Sequence, residues 1–323
     1  MSFALQAFMD QLVDYAGLFP PASLDMTSAV RGYAGHQAQA ESWMLGRFIV
    51  PADRLGEMAA EAEKYLSASE RWGVSVLMGH REDSEQSLAL LKDQCASIIR
   101  FEKLMDPNAS VDVLEIPLPA KLIPAEIPGF LTEYFDGLKN FGVLGKELFL
   151  EISPNAPQEH ELPILEAVSA LAKSRSGAGR AVLRLGAKLR CGGVTADAFP
   201  SVDRISRILA YCRDLGLALK CTAGLHHPVR HQATDPVVLM HGFLNVFGAG
   251  LLAHAHGWSA EELSRVIEDT DPSSFVFESD HFSWRGHVVP LDTMRVLRTQ
   301  FLCGFGSCSF DEPRDDLLSL GLL

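Results

Sequence analysis

Lys188-Leu-Arg-Cys-Gly-Gly193 and Lys220-Cys-Thr-Ala-Gly-Leu-His-His-Pro228 are the two phrases that decide the fold. Each follows an apolar run: Ala181-Val-Leu-Arg-Leu-Gly-Ala187 before the first, Leu215-Gly-Leu-Ala-Leu219 before the second. Each run turns abruptly to a cation and then to glycine. Between them Ser201 is a helix N-cap, Ile205, Ile208, Leu209 and Cys212 share one helical face, and Gly216 closes the helix. The pattern is strand–helix–strand with charged groups at the carboxyl ends of parallel strands. In α/β folds that is the end at which ligands bind.

Outward from this unit the same rhythm repeats. Candidate strands are Arg47–Val50, Val74–Met78, Val111–Ile116, Glu147–Ile152, Val182–Lys188 and Leu217–Lys220. Their near-continuous apolar character fits parallel strands covered on both faces. Leu12 to Phe19 is a candidate first strand; Phe243–Phe247 and Phe275–Glu278 compete to be the eighth. Helical patterns fill Asp53–Leu66, Ser84–Leu91, Leu162–Leu171 and Leu291–Phe301. Strand starts recur roughly every 25–40 residues, as repeated βα units with right-handed crossovers require. No glycine-rich dinucleotide turn or P-loop is present, so a (β/α)8 TIM-like barrel is expected rather than an open sheet. The expected organisation is one domain over 1–323: a core of about 12–272, and an irregular extension over 273–323 packed on the barrel.

At 323 residues, 47% hydrophobic and 21% charged, the chain can bury a large core. Its net charge of −13 argues against nucleic acid or an anionic membrane as partner, since both need a basic face. The six cysteines form no CxxC pair, the N-terminus lacks a basic export segment, and no run of ~18 apolar residues occurs. A reduced, cytoplasmic protein is expected. A homo-oligomer is compatible with these features.

Several residues can carry chemistry. Lys220 closes a buried strand, where an apolar surround favours the neutral amine that a base or Schiff-base nucleophile needs. Its alternative role is to pair with a barrel carboxylate. Arg190 has a fork suited to carboxylate or phosphate, and Lys188 shares its face by strand alternation. Gly192 and Gly193 can turn backbone N–H groups toward an anion. Glu115 and Glu151 sit between apolar residues near strand ends, and burial is costly for them unless they are paired. Either is a candidate base or metal ligand, or a partner of Lys188 or Lys220. Asp14 lies near the first strand end, as a substrate contact or a turn residue. His226 is a candidate acid or base, with His227 and Asn245 as further substrate contacts. The alternative is a divalent metal such as Zn or Mn held by His226, His227, His231 and His241, although their spacing matches no common metal motif. Otherwise no cofactor is expected. Cys191 and Cys221 read as small buried thiols, and Pro20-Pro21 and Phe310-Asp-Glu-Pro313 as structural segments.

Asp14-Tyr-Ala-Gly-Leu-Phe-Pro-Pro21, the two opening phrases, His241-Gly-Phe-Leu-Asn-Val246 and Gly306-Ser-Cys-Ser-Phe-Asp-Glu-Pro313 occur together. In that order they resemble an uncharacterised family of bacterial proteins of about this length. The resemblance implies that the phrases form one site, and implies no reaction. Lys220-Cys-Thr-Ala-Gly224 is also similar to the strand-end lysine segment of class I aldolases, which leaves a Schiff-base role open.

Three functions follow. The leading one is an enzyme of lyase, aldolase or isomerase type acting on a small carboxylate or phosphate metabolite, with Lys220 as base or nucleophile and Arg190 and Lys188 as anion holders. The second is a metal-dependent hydrolase or lyase. The third is a non-enzymatic sensor or binding protein.

Overall fold

The computed structural model describes residues 1–66, 71–143, 145–174, 182–234 and 236–323. Ala181, the first residue of one run above, lies outside them.

Eight strands form a closed barrel: β1 (Val13–Tyr15), β2 (Leu45–Pro51), β3 (Trp72–Leu77), β4 (Ala109–Pro117), β5 (Lys146–Glu151), β6 (Val182–Arg190), β7 (Ala218–Thr222) and β8 (Leu302–Ser307). Around the barrel the order is β1–β8–β7–β6–β5–β4–β3–β2, all parallel. Among the described residues are eleven α-helices: α1 (Phe3–Met9), α2 (Met26–Gln37), α3 (Leu55–Ala62), α4 (Ser84–Met105), α5 (Ile127–Asn140), α6 (Gln158–Ser174), α7 (Val202–Leu215), α8 (Phe243–His256), α9 (Ala260–Glu268), α10 (Leu291–Gln300) and α11 (Asp311–Ser319). No helix among the described residues is long and apolar enough to cross a membrane.

The eighth strand differs from both candidates. Phe243–Phe247 opens α8, which is buried from Phe243 to Ala253. A helix apolar all round has no amphipathic period to distinguish it from a buried strand. Phe275–Phe277 joins His281–Trp284 and His287–Pro290 in a separate antiparallel sheet. The barrel closes instead through β8, in the segment expected to be an irregular extension.

The chain divides into two compact units. Unit 2 comprises Leu24–Ala38 and Arg47–Lys188. There β3 pairs β4 with Leu77 opposite Glu115, after a register shift at Val74/Ser75, and β4 pairs β5 with Pro117 opposite Glu151. β5 pairs β6 with Glu151 opposite Lys188. Partnered residues face the same side, so Glu115, Glu151 and Lys188 project together. Tyr33, Phe48 and Trp72 pack edge to face, tying α2 to the strands. At the amino ends of the strands, Glu147 pairs with Arg184 (3.2 Å).

Unit 1 comprises Met1–Ser23, Gln39–Gly46 and Leu189–Leu323. Its α7 begins and ends as its sequence dictates: Ser201 accepts the Arg204 N–H, and Gly216 takes the left-handed conformation at φ +66°. Such an N-cap contributes about 1 kcal/mol. β8 lies between β1 and β7, with Asp14 opposite Gly306 and Lys220 opposite Gly304. A Cβ at Gly304 would approach the Leu12 carbonyl oxygen to 2.9 Å, so this strand must be lean. Arg298 of α10 donates to the Phe8 and Asp10 carbonyls (2.7 and 2.9 Å), fastening α1.

Candidate functional site

Two buried lysines lie two residues before the ends of β6 and β7, one in each unit. In unit 1, Lys220 Nζ lies 2.6 Å from Asp14 Oδ2, and both side chains are 2% exposed. The glycines of β8 explain how a side chain on β7 reaches one on β1. Gly304 and Gly306 present no side chain at the register positions between them. Asp14 is confined on its other side too, because a Cβ at Gly46 would collide with Asp14 Oδ1. Asp14 is thus a buried strand residue rather than a turn or cap.

Arg190 is half-buried at the end of β6. The next residue, Cys191, donates its N–H to the Thr222 carbonyl at 2.8 Å, which sets Arg190 beside the carboxyl end of β7. The following glycines have a packing reason. A Cβ on Gly192 would meet the Phe199 ring at 2.5 Å and the Gly224 Cα at 2.8 Å. Neither Gly192 nor Gly193 has positive φ, so the pair lacks the αR–αL alternation of an anion nest. Left-handed backbone occurs instead after β7, at Ala223 (φ +60°) and Gly224 (φ +71°). An alanine held there costs about 1–2 kcal/mol, and such strain concentrates at functional sites.

Beyond this turn, His226 Nδ1 lies 3.0 Å from Glu312 Oε2 and 3.9 Å from Cys308 Sγ. Burial works to lower the His226 pKa, but Cys308 and Glu312 together outweigh it and raise it to about 9. His227 Nδ1 lies 2.6 Å from Asp316 Oδ2, so α11 offers carboxylates four residues apart to consecutive histidines. The Phe310–Pro313 segment, read as structural, therefore also supplies Glu312. Tyr15 stands nearby, its phenol raised to about 12 by burial and by the Cys308 and Asp311 charges.

The remaining histidines do not join this group. His241 Nε2 meets the Pro200 carbonyl and Nδ1 meets the Arg230 guanidinium, both at 2.8 Å, which assigns the proton to Nε2. Burial lowers its pKa to about 4. His231 packs edge to face on His227, at a ring separation of 4.3 Å. Among the described residues no group of three or more His, Cys, Asp or Glu side chains is arranged to hold a metal ion. The set His226, His227, His231 and His241 does not converge. Asn245, expected at the substrate, is fully buried and spends its amide on backbone: Oδ1 accepts from Arg230 N (2.8 Å), and Nδ2 donates to the Val266 and Asp269 carbonyls (2.7 and 2.8 Å).

In unit 2, Lys188 Nζ lies 2.6 Å from both Glu115 Oε2 and Glu151 Oε2. Ser75 Oγ, fully buried, donates to Glu115 Oε1 at 2.6 Å. Sequence reading did not single out Ser75: a serine among valines in a strand carries no signal until its partner is seen. Burial disfavours the Lys188 ammonium, but the two carboxylates and their hydrogen bonds outweigh it, and its pKa is raised. The two carboxylates compete with any substrate anion for Lys188, although Glu115 and Glu151 are brought together as the sequence suggested.

No family model and no curated protein matches the chain. Among solved structures it is similar to that of Leishmania donovani UMP synthase, at 13% identity and a TM-score of 0.38. The alignment covers 83% of this chain and 56% of that one, so the chain spans little more than half the length of that protein. The barrel assignment rests on the strand pairing itself.

Proposed function

We propose that the chain is an enzyme acting on a small anionic metabolite by proton transfer of lyase or isomerase type. Lys220 and Asp14 form the acid–base pair, and Arg190 holds carboxylate or phosphate. The observation that carries this reading is the 2.6 Å contact between Lys220 and Asp14, both buried, at the carboxyl end of a parallel barrel. Removing two charges from water costs several kcal/mol per ion, and an apolar pair of similar volume is often at least as stable. A closed parallel barrel binds its ligands at this end, so retention of the pair here fits chemistry better than stability.

Proton transfer from Lys220 to Asp14 leaves an amine and a carboxylic acid. The amine removes a proton from carbon next to a carbonyl, and the electron pair moves into the carbonyl as an enolate. Asp14 returns a proton to carbon or oxygen. For lyase chemistry the amine instead takes the proton of a hydroxyl on the carbon β to the carbonyl; that oxygen becomes a new carbonyl, the carbon–carbon bond breaks, and its electron pair moves into the first carbonyl as an enolate that Asp14 protonates. Arg190 is the directional anion contact, since its planar fork bonds a carboxylate or phosphate twice. The whole molecule is acidic, so attraction of an anion must be local.

A Schiff-base route requires Lys220 Nζ to leave Asp14 and attack the carbonyl. Borohydride trapping with oxo-acids or sugar phosphates separates the routes: an adduct at Lys220 demonstrates the covalent one. Turnover without an adduct assigns Lys220 to acid–base work. Turnover undiminished in Lys220→Met removes both.

A further inference from the structure

Unit 1 holds a cluster that this proton transfer does not use. His226 comes from the turn after β7, Cys308 directly follows β8, and Glu312 lies in the first turn of α11. Glu312 Oε2 and Cys308 Sγ approach the same nitrogen, His226 Nδ1, at 3.0 and 3.9 Å. A carboxylate needs a donor, so Glu312 fixes a proton on Nδ1. That N–H then presents positive charge to the sulfur as well. Imidazolium beside sulfur stabilises thiolate, the nucleophilic form.

The other buried cysteines lack this arrangement. Cys95, Cys191, Cys212 and Cys221 are buried. Burial raises the Cys95 thiol to about 11 and Cys212 to about 12, and contact with Cys191 together with burial raises Cys221. Cys303 is more exposed than Cys308, which is 8% exposed. Exposure and activation therefore make opposite forecasts of which thiol reacts first.

We propose that Cys308 is a reactive thiol, activated by His226 with Glu312 as its positioning residue, and that it takes an aldehyde or ketone carbon as its ligand. In that step the sulfur–carbon bond forms, the carbonyl π pair moves to oxygen, and the oxygen receives a proton from the His226 imidazolium. The product is a hemithioacetal or hemithioketal, with no oxidant or leaving group. The other titratable groups around the pair are Tyr15 at the end of β1, His227 in the same turn, and Asp311 of α11. The inference is independent of the role given to Lys220, because its test needs no turnover.

The test is limited alkylation of the folded full chain with iodoacetamide, mapped by peptide mass. Cys308 is expected to react at least about tenfold faster than Cys303. His226→Gln should slow Cys308 about tenfold or more, and Glu312→Asp, which keeps the carboxylate on His226, should retain most of the rate that Glu312→Gln loses. Glu312→Gln alters a half-exposed side chain and leaves the fold intact, so its smaller slowing guards against a misfolded His226 variant. Propanal should protect Cys308 competitively. Labelling of Cys303 first, or a Cys308 rate indifferent to both substitutions, would overturn the thiol assignment. Absence of protection by propanal would overturn the carbonyl ligand.

Discussion

Lys188 and Lys220 each lie two residues before the end of consecutive strands, and both are nearly inaccessible, yet they are held by different carboxylates. Lys188 is clamped by Glu115 and Glu151, with Ser75 bracing Glu115. Lys220 has Asp14 at 2.6 Å, with glycines on either side of the contact. The two carboxylates raise the Lys188 pKa, so it keeps its proton, and they compete with any substrate anion for it. Within the Lys220–Asp14 contact a proton can pass from ammonium to carboxylate without changing the charge of the pair. Position near a strand end, shared by both lysines, is thus insufficient to assign a role; the partners decide.

The largest test of this contrast is truncation. Lys188→Ala strands two buried carboxylates and should lower stability by about 3–5 kcal/mol. Lys220→Ala strands Asp14 and should lower it as well. Urea unfolding of the two variants reads this, and unchanged stability in either would remove its pairing as a source of stability. The double variant Asp14→Leu/Lys220→Met should recover most of its stability, since apolar replacement of a buried pair is often neutral or better.

Next in size is ligand recognition. Arg190→Lys keeps the charge and loses the fork, so it should weaken phosphate or dicarboxylate binding by roughly ten- to a hundredfold, about 1.5–3 kcal/mol. Isothermal titration checks this, and binding equal to wild type would make Arg190 structural. Gly46→Ala crowds Asp14 Oδ1 and should cost about 1–3 kcal/mol as overpacking, with greater loss of activity than of fold.

The smallest effect is a pH window. The His226 pKa rises from 6.5 to about 9 on folding. Its stabilisation is complete below pH 6.5 and is lost as pH rises through about 9, by roughly 1–2 kcal/mol once the half-exposed Glu312 partner is discounted. The Lys188 clamp, also raised, is complete below 10.5 and lost only at higher pH still. Stability should therefore decline between pH 6.5 and 9 in wild type and flatten in His226→Gln. An unchanged slope would remove His226 as its source.

Much of the barrel could be read from the chain because strands buried on both faces are written as apolar runs. β8 could not: Leu302-Cys-Gly-Phe-Gly-Ser307 carries the glycines that Lys220 and Asp14 require between them, and glycine erases strand character. α8 misled for the opposite reason, being apolar on every face. In the site, strand-end charges were legible singly, and the cost of burying Glu115 and Glu151 foretold that they would be paired. Their partners were less so. Asp14 is buried by a fold contact distant in sequence, and Glu312 meets His226 across 86 residues. The Gly192-Gly193 pair suggested an anion cradle, whereas tight packing against Gly224 and Phe199 accounts for Gly192.

Proton transfer at Lys220 and Asp14 is the central claim, and proton NMR in D2O tests it most directly. Small oxo-acids and sugar phosphates are incubated with wild type, Lys220→Met and Asp14→Asn, and the signal of the hydrogen next to the carbonyl is followed. The account predicts deuterium wash-in for at least one substrate with wild type, lost by about a hundredfold or more in both variants. Undiminished exchange in Lys220→Met, or no exchange with a substrate that wild type demonstrably converts, would contradict it.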